Sequence, residues 1–568
     1  MVDWFKIVSN SLWLVGLTLI LAVANYTDYG GWRERLSIAA VWRAILSNGW
    51  TRLGALLFCA GMALAAGTWP EKIVWGLLGA YALYGAWRAL QRGPAEWLRT
   101  LRGPWAGDLA SAPDAPLPGP LPLSAPRRVA DRVIRAELLW LGLLAPFILF
   151  ATQVTPVALL GLPILWLARR VARGRFVPRT PLDWAIFLLL VMVLVSLYAT
   201  PDINISLAHV SGLLFGVGLF YALVEWASTS RRTGLAAYGY AVMGMVLAIV
   251  GLLGTNWADK FPLLTRLGEK LPSAALLHRL PGLGGGINPN ELAGALVWVL
   301  PVQLAVLVWG SHRTAVPTGV PRWVMLLVAA VTGGTFVLTQ SRGAFLGLAL
   351  GLALMAWLLF PRVRPWLAAL LVGGVAIALV VGPGRISDSL SERYGQGLSI
   401  DNGVSSLESR TIIWAHAIYG IEDFPLTGMG VDTFHWLLPI LYPIAEFKTD
   451  TDVPHAHNQF LQAAVDLGLP GMVAYLAIWL LAAALVALVV RGARDRWDRA
   501  AAAGLGAGLL AYFVFGITDT VSLGTRPGVF FWALLALLVA LWQHRTVPLE
   551  MPDMRSHEYA EPGEPVLV

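Results

Sequence analysis

Long apolar stretches alternate with short polar segments along nearly the whole chain. They begin at residues 11–24 and recur as far as residues 529–542, and most approach the length of about 20 residues that an α-helix needs to cross a bilayer. The apolar positions are consecutive, whereas a membrane β-barrel shows segments of roughly ten residues with alternating polarity. The pattern therefore predicts an all-α polytopic membrane protein, built as a transmembrane helix bundle.

A proline-rich, basic segment divides the predicted spans into two groups. Three spans, residues 11–24, 53–68 and 73–90, lie in the N-terminal part, residues 1–92. Residues 93–135 carry the prolines and are predicted to be an extended cytoplasmic linker, because proline-rich sequences favour extended backbone. The N-terminal spans are therefore expected to be additional to the main bundle.

The main bundle is predicted to occupy residues 136–542 and to contain about twelve spans. Their expected starts are Ala136, Val154, Leu182, Ser206, Leu235, Glu291, Trp323, Ala344, Trp366, Leu469, Ala500 and Val529. Twelve spans place both ends of the bundle on the same side of the membrane. Residues 543–568 combine prolines with acidic residues, which predicts a disordered cytoplasmic tail.

Positive charges indicate which loops face the cytoplasm. Arginines cluster in alternate loops, and the positive-inside rule assigns such loops to the cytoplasmic side. These loops are residues 169–179, 231–232, 313–322, 362–364 and 491–499. The two long loops, residues 255–290 and 383–466, then face outward, together with the short turns at residues 201–204, around 341–342 and at 519–528. Functional residues are expected there.

Composition agrees with a membrane protein and narrows its chemistry. Hydrophobic residues make up 57% of the chain, charged residues only 13%, and the mean hydropathy is +0.66. The loop arginines account for the net charge of +7 as a topology signal, so no nucleic-acid partner is predicted. The single cysteine, Cys59, lies in an apolar stretch, and neither a disulfide framework nor a thiolate metal site is expected.

Arg342 is a cation that the positive-inside rule does not explain. It lies between Ser341 and Gly343, at the outward end of two predicted spans. A charge at membrane depth is costly and usually lines a polar cavity or meets a ligand, and guanidinium binds phosphate oxygens with two parallel hydrogen bonds. The alternative is an arginine that snorkels to the lipid headgroups.

Arg410 is a second cation on the outward side. It lies in a segment that begins with polar residues and continues with aromatic and apolar ones, which predicts a short helix on the outer membrane face. The alternative is an ion pair with Glu408 or another surface carboxylate, a common state for an exposed arginine.

His457 lies just before the predicted span at Leu469, with His455 preceding it and Asn458 following it. A neutral imidazole accepts protons near physiological pH, so His457 is suited to act as a general base on a hydroxyl group. The alternative is a histidine that caps or hydrogen-bonds the loop.

A metal site is a further alternative for the same segment. Asp450, Asp452, His455 and His457 offer carboxylate and imidazole ligands of the kind that zinc and manganese accept. Local clustering of such residues is weak support, and no metal is predicted.

These residues together resemble the O-antigen ligase and O-antigen polymerase superfamily of bacterial envelope glycosyltransferases. The most specific element is His457-Asn458, followed after nine residues by Gly468 and after two more by Gly471. Supporting elements, in the order of the family, are Asn288-Pro289-Asn290, Ser341-Arg342-Gly343, Ser409-Arg410 with Trp414, and Gly428-Met429-Gly430. The resemblance covers roughly the last three quarters of the chain and leaves the N-terminal spans without a role.

The resemblance implies a GT-C-like bundle in the cytoplasmic (inner) membrane that transfers a glycan from undecaprenyl pyrophosphate to a lipid- or glycan-linked acceptor. It implies an active site on the periplasmic face, with Arg342 and Arg410 binding the donor pyrophosphate and His457 activating the acceptor hydroxyl. Neither a cofactor nor a metal is expected. Transfer by direct attack is inverting, whereas a retaining route would need a carboxylate nucleophile, for which Asp432, Asp450 and Asp452 are the candidates. Asn288, Asn290, His455 and Asn458 are candidate substrate-binding residues.

Two choices remain open at the level of sequence. The acceptor decides between a ligase, which uses a lipid core, and a polymerase, which uses another lipid-linked repeat. A different class is a flippase-like transporter that uses the arginines as a substrate path without catalysis. Transporters usually bind near the middle of the membrane, whereas the polar residues of this chain cluster on one side.

Overall fold

The computed structural model describes residues 4–91, 125–150, 154–255, 257, 287–310, 320–381, 406–445, 447, 453–493 and 495–546. Within these ranges every regular element is a helix, apart from one isolated β-bridge between Thr255 and Ile287. Nine of the described helices are long and apolar enough to cross a membrane, and further apolar helices are shorter. The predicted all-α polytopic architecture is confirmed.

Four helices form the N-terminal part. They are α1 (Trp4–Arg33), α2 (Ile38–Ser47), α3 (Gly49–Ala65) and α4 (Trp69–Gln91). The backbones of α1 and α3 touch, because a Cβ atom on Gly16 would lie 2.5 Å from the carbonyl oxygen of Gly54. Helix α1 also joins the main bundle, where the Asn25 side chain accepts hydrogen bonds from the backbone amides of Trp184 and Ala185 at 2.7 and 3.2 Å.

The main bundle follows after the linker. Its first helices are α5 (Ala125–Arg135), α6 (Glu137–Leu149), α7 (Thr155–Leu159), α8 (Gly161–Arg173), α9 (Asp183–Ala199), α10 (Ile203–Trp226), α11 (Ser230–Gly254) and α12 (Pro289–Trp309). Its later helices are α13 (Arg322–Leu338), α14 (Arg342–Leu359), α15 (Arg364–Val381), α16 (Ser406–Asp423), α17 (Phe434–Leu441), α18 (Gln459–Gly492), α19 (Arg496–Thr518) and α20 (Val529–Thr546). All but one of the predicted span starts lie close to the start of a helix.

Successive long helices alternate in direction, so their connections lie at two opposite ends of the bundle. One end carries the start of α14, the start of α18 and the residue that follows α19, Asp519. We call it the Asp519 end. The other end carries the last residues of α1 and α20, including His544, and we call it the His544 end.

A stripe of glycines sets α14 directly against α19. A Cβ atom on Gly347 would lie 2.2 Å from the carbonyl oxygen of Ala511, and one on Gly351 would lie 2.4 Å from that of Ala507. Side chains larger than hydrogen at these positions would push the helices apart, so glycine permits backbone contact. The contact fixes the start of α14 beside the end of α19.

Helix α18 begins ten residues before the predicted start at Leu469, and it bends at Gly468, whose φ is +69°. The preceding loop fits into this bend: the Leu469 amide donates to the Pro425 carbonyl at 2.8 Å, and the Met429 amide donates to the Val465 carbonyl at 2.7 Å. A positive φ favours glycine because a Cβ atom would clash with the backbone. The prediction for this start is wrong because buried polar side chains in the first turns of α18 interrupt the apolar pattern.

Two further predictions at the edges of the bundle need correction. The linker was expected to be extended throughout, but its last part is helix α5, where Arg135 Nε donates to Asp131 at 2.7 Å across one turn. Its proline lies at the second residue, in the first turn of the helix, where proline is tolerated. Residues 543–546, assigned to the tail, continue α20. The rest of the linker and tail lie outside the described residues.

Candidate active site

The two histidines before α18 lie beside the carboxylate that follows α19. His457 Nδ1 is 3.3 Å from Asp519 Oδ1, and His455 Nε2 is 3.7 Å from the same oxygen. The Asp519 side chain is only 6% exposed. The contact joins residues far apart in the chain, and no sequence pattern distinguishes Asp519 from the other residues of its turn.

Asn458 holds the two helices in this register. Its side-chain oxygen caps α18 by accepting from the Phe460 and Leu461 amides at 2.9 and 3.1 Å. Its amide nitrogen donates to the Ile517 carbonyl, at the end of α19, at 3.0 Å. Asn458 therefore links the start of α18 to the end of α19, and its predicted contact with substrate remains a prediction.

The backbone of His457 adopts an uncommon conformation. Its φ is +46°, in the left-handed region that non-glycine residues seldom occupy. The Trp414 indole donates to the His457 carbonyl at 3.4 Å, and the Gln462 side chain accepts from the Ala456 amide at 2.7 Å. Neighbouring side chains thus hold the segment in a conformation that directs the His457 ring toward Asp519.

This contact defines the chemical state of His457. When Nδ1 carries the proton and donates it to Asp519, the lone pair of the neutral ring is on Nε2. A carboxylate on Nδ1 also stabilises the imidazolium that forms when Nε2 takes up a proton. The geometry therefore equips His457 to accept a proton at Nε2.

Asp519 is ionised in this setting. Burial alone would raise the pKa of its carboxyl, but the hydrogen bond from His457 and the nearby charge of Arg410 outweigh burial and lower the pKa below its ordinary value. The Thr520 amide also donates to Oδ1 at 2.9 Å. The site therefore contains a fixed negative charge behind the imidazole.

Arg410 belongs to the same cluster. It lies near the start of α16, and its Nη2 atom is 3.8 Å from Asp519 Oδ2, on the other side of the carboxylate from the histidines. The predicted helix is confirmed, and a buried carboxylate is one partner of this arginine. The Glu408 side chain, the alternative partner, lies outside the described residues.

Arg342 reaches the Asp519 end through the packing of α14 on α19. It is the first residue of α14 and is exposed, and Gln340, two residues before it, has a φ of +50°. At the next residue, Gly343, a Cβ atom would lie 2.9 Å from Thr518 Oγ1, directly before Asp519. The predicted position of Arg342 at a helix end is confirmed, and the packing places it beside the turn that carries Asp519.

His455, His457 and Asp519 together offer three metal-ligand atoms within 4.8 Å of one another. The observed hydrogen bonds favour a different state, because the His457 amide donates to His455 Nδ1 at 3.2 Å. An accepting Nδ1 places the proton of neutral His455 on Nε2, the atom that a metal at Asp519 would need. Burial lowers the pKa of His455 to about 4, against the opposing charge of Asp519, so the ring is neutral. Asp450 and Asp452 lie outside the described residues.

Asn288 and Asn290 lie at the start of α12. The Asn288 side chain accepts from the Asn290 amide at 2.8 Å and caps the helix. Helix α12 packs against α19, since a Cβ atom on Gly294 would lie 2.3 Å from the Phe515 ring. Both asparagines are thus at the Asp519 end, and their contact with substrate remains a prediction.

A second histidine–carboxylate pair lies at the same end. His209 Nδ1 is 2.8 Å from Asp432 Oδ2, and the Asp432 amide donates to Asp466 Oδ1 at 3.2 Å. Gln462 donates to the same oxygen at 2.9 Å while it accepts from the Ala456 amide. Gln462 therefore connects this second cluster to the segment that carries His457.

The fold defines a multi-pass helical membrane protein with a polar, histidine-containing site at one end of the bundle. Residues 325–476 match the family model for O-antigen ligase, and this match supports membership of the O-antigen ligase superfamily. The resemblance found in the sequence is confirmed. The general activity of this family is glycosyl transfer of the ligase or polymerase type. No curated protein matched the chain.

The matched segment contains five of the seven predicted site residues: Arg342, Arg410, His455, His457 and Asn458. Asp519 lies beyond its end. The family match therefore covers the histidines and arginines of this cluster, whereas Asp519 joins them only through the packing of α18 on α19.

Proposed function

We propose that the protein transfers a glycan from undecaprenyl pyrophosphate to an acceptor hydroxyl on the outer face of the cytoplasmic membrane. The observation that carries the proposal is the contact of 3.3 Å between His457 Nδ1 and Asp519, next to Arg410. It combines a proton acceptor with a cation at the end of the bundle where Arg342 also lies.

His457 is the general base in this mechanism. Its Nε2 atom takes the proton of the acceptor hydroxyl while that oxygen attacks the anomeric carbon of the donor sugar. Asp519 keeps the proton of the resting ring on Nδ1 and stabilises the imidazolium that follows. In this mechanism the imidazole activates the hydroxyl by deprotonation, and no metal ion is needed for that step.

The arginines act on the leaving group. Undecaprenyl pyrophosphate is a weak base, so its departure requires stabilisation of negative charge more than protonation. Arg342 and Arg410 bind its phosphate oxygens, and fixed cations supply this stabilisation without reorganisation during the reaction. Arg410 also lies beside Asp519, which orients the guanidinium within the cluster.

Direct attack inverts the anomeric configuration, whereas a retaining route requires a carboxylate nucleophile. Asp519 is buried and accepts hydrogen bonds from His457 and Thr520. Asp432 is paired with His209. Because both carboxylates already have partners, we favour the inverting route. Asp519 then supports the base and does not attack the sugar.

The test is a reconstituted transfer reaction. Purified full-length protein is supplied with a synthetic undecaprenyl-pyrophosphate oligosaccharide and with two acceptors, a lipid A-core glycolipid and a second lipid-linked repeat. We expect transfer to one acceptor, which assigns ligase or polymerase. His457→Ala should lower the rate about 10²- to 10⁴-fold, as expected for loss of a general base, and Arg342→Ala or Arg410→Ala about 10²- to 10³-fold.

Matched controls separate site effects from general damage. His416→Ala removes a histidine of α16 whose Nδ1 contacts the Ile412 carbonyl of its own helix, and Arg364→Ala removes an exposed arginine beyond the other end of α14. Both should retain nearly full activity. Full activity of His457→Ala would overturn the assignment of the base, and movement of the donor across the membrane without transfer would favour a transporter.

A further inference from the structure

A large cavity opens at the His544 end of the bundle, away from the candidate active site. Its volume is about 790 Å³, and its walls come from the end of α1, the turn after it, the turn before α11 and the end of α20. The residues that define its chemistry are Tyr29, Trp32, Arg33, Arg35 and His544. The cavity therefore lies between the N-terminal helices and the main bundle.

Contacts between the two parts build its inner wall. The Gln543 side chain donates to the Tyr29 hydroxyl at 3.4 Å and to the Arg179 carbonyl at 3.2 Å. The Tyr29 ring packs against the Trp542 ring with centroids 5.2 Å apart. His544 Nε2 lies 2.8 Å from Thr233 Oγ1. The wall is thus a packed structure to which both α1 and α20 contribute.

The cavity is positively charged. Arg33 and Arg35 both line it, and none of the described residues that line it is acidic; Glu34, exposed between the two arginines, is outside the lining. Arg35 is exposed and has a φ of +55°, which turns the chain sharply between α1 and α2. Two guanidinium groups at one cavity are suited to a phosphate group, whose oxygens they bind in pairs.

Helix α2 marks the level of the membrane surface at this cavity. It begins directly after the turn that carries Arg35, with the Ser37 side chain as its cap. One face of α2 is apolar and exposed. It consists of three residues spaced four apart, Ile38, Trp42 and Leu46, which are 77%, 58% and 64% exposed. A short amphipathic helix with such a face lies in the membrane interface. The arginines next to it are therefore at the depth of lipid headgroups.

We propose that this cavity binds the headgroup phosphate of an anionic membrane phospholipid. Arg33 and Arg35 hold the phosphate, and the exposed indole of Trp32 at the cavity faces the first part of the acyl chains. Basic pockets between membrane helices are suited to anionic headgroups. Because both parts of the chain line the cavity, the bound lipid joins the N-terminal helices to the main bundle. The proposal is independent of the catalytic assignment at the other end.

The test measures lipid binding to the purified full-length protein by native mass spectrometry. Wild type is titrated with phosphatidylglycerol and with zwitterionic phosphatidylcholine of the same acyl chains. We expect tighter binding of phosphatidylglycerol and about 10- to 30-fold weaker binding in the double variant Arg33→Gln, Arg35→Gln, as expected for two cations at a membrane surface. Arg43→Gln is the matched control, because Arg43 lies on α2 and does not line the cavity.

A separate arm distinguishes a lipid headgroup from free phosphate. Inorganic phosphate should displace phosphatidylglycerol only weakly if the acyl chains contribute to binding. Displacement at equal concentrations would overturn the lipid assignment. Equal phosphatidylglycerol binding by wild type and the double variant, or an equal loss in Arg43→Gln, would overturn the site itself. Thermal unfolding of each variant in the same detergent shows that any loss of binding occurs in folded protein.

Discussion

Two histidine–carboxylate pairs lie at the Asp519 end of the bundle, and they differ in their surroundings. In the first pair, His457 faces Asp519, which is buried and has Arg410 on its other side. In the second pair, His209 faces Asp432, and both side chains are partly exposed, at 22% and 27%. The residue types are the same, but among the residues that the structure describes only the first pair has an arginine beside its carboxylate.

The second pair is tied to the bend in α18. Asp432 has a φ of +60° and donates its amide to Asp466, two residues before Gly468. Ser206 donates to the Val431 carbonyl at 2.6 Å and holds the same loop from α10. We infer that the first pair performs the chemistry, whereas the second pair holds the loop against the bend.

The largest difference is expected from removing charge without changing shape. Asp519→Asn places an amide where the carboxylate accepts from His457, which favours the tautomer with its proton on Nε2. We expect a loss of about 10²- to 10⁴-fold in kcat, because the base is then unavailable and its imidazolium is not stabilised. Asp432→Asn should lower kcat about tenfold or less, because the backbone amide that donates to Asp466 is retained and asparagine tolerates the left-handed backbone conformation.

Initial rates of glycan transfer at saturating donor check this contrast, with donor binding measured separately. Similar losses in both variants would contradict the division of roles. A loss confined to Asp432→Asn would reverse it and return Asp432 to consideration as a nucleophile.

Most of the fold followed from hydropathy, because a membrane span has to be apolar over its whole length. The exceptions include helix α2, helix α5 and the first turns of α18. Helix α2 is too short to span, and its apolar face shows only as a spacing of four residues. The first turns of α18 bury Gln462 and Asp466, whose polarity is satisfied by tertiary hydrogen bonds that hydropathy does not register.

The site followed from sequence only where a residue was unusual in its own context. Arg342 contradicted the charge rule, and His457 belonged to a motif with fixed spacing. Asp519 was different, since one carboxylate after an apolar span is unremarkable without its neighbours. Its role depends on the packing of α18 against α19, with Asn458 linking the two. Such a contact is a property of the folded chain.

An intermediate effect is expected at Gln462, which connects the two clusters. Gln462→Leu leaves the Ala456 amide and Asp466 without this partner, so the segment carrying His457 loses one restraint. We expect kcat to fall about 10- to 100-fold, the range associated with slight misplacement of a catalytic group. Gln303→Leu is the matched control, because Gln303 is also buried and hydrogen-bonded, to Ala241 and Thr332 within the bundle.

Both glutamine variants should be destabilised by about 1–3 kcal/mol, the cost of leaving buried polar groups unpaired. Activity per folded molecule distinguishes a loss of catalysis from a loss of folded protein in the two variants. The amount of folded protein is measured by size-exclusion chromatography. Equal specific activity in the two variants would mean that Gln462 supports folding alone and does not position His457.

The smallest effect is expected in the pH dependence of stability, and it concerns His455, a member of the first cluster only. Burial lowers its pKa to about 4 in the folded protein, whereas an unfolded histidine titrates near 6.5. As the pH falls from 7 toward 4, His455 therefore binds a proton in the unfolded state but not in the folded state, and the free energy of unfolding decreases.

His455→Gln removes this pH-dependent loss of stability, while the glutamine side-chain oxygen can still accept the hydrogen bond from the His457 amide. The Tm of wild type should thus fall more between pH 7 and pH 5 than that of His455→Gln, with His416→Gln following wild type. Parallel curves for all three proteins would show that His455 is not buried as a neutral ring, and the fixed tautomer that disfavours a metal at Asp519 would lose its support.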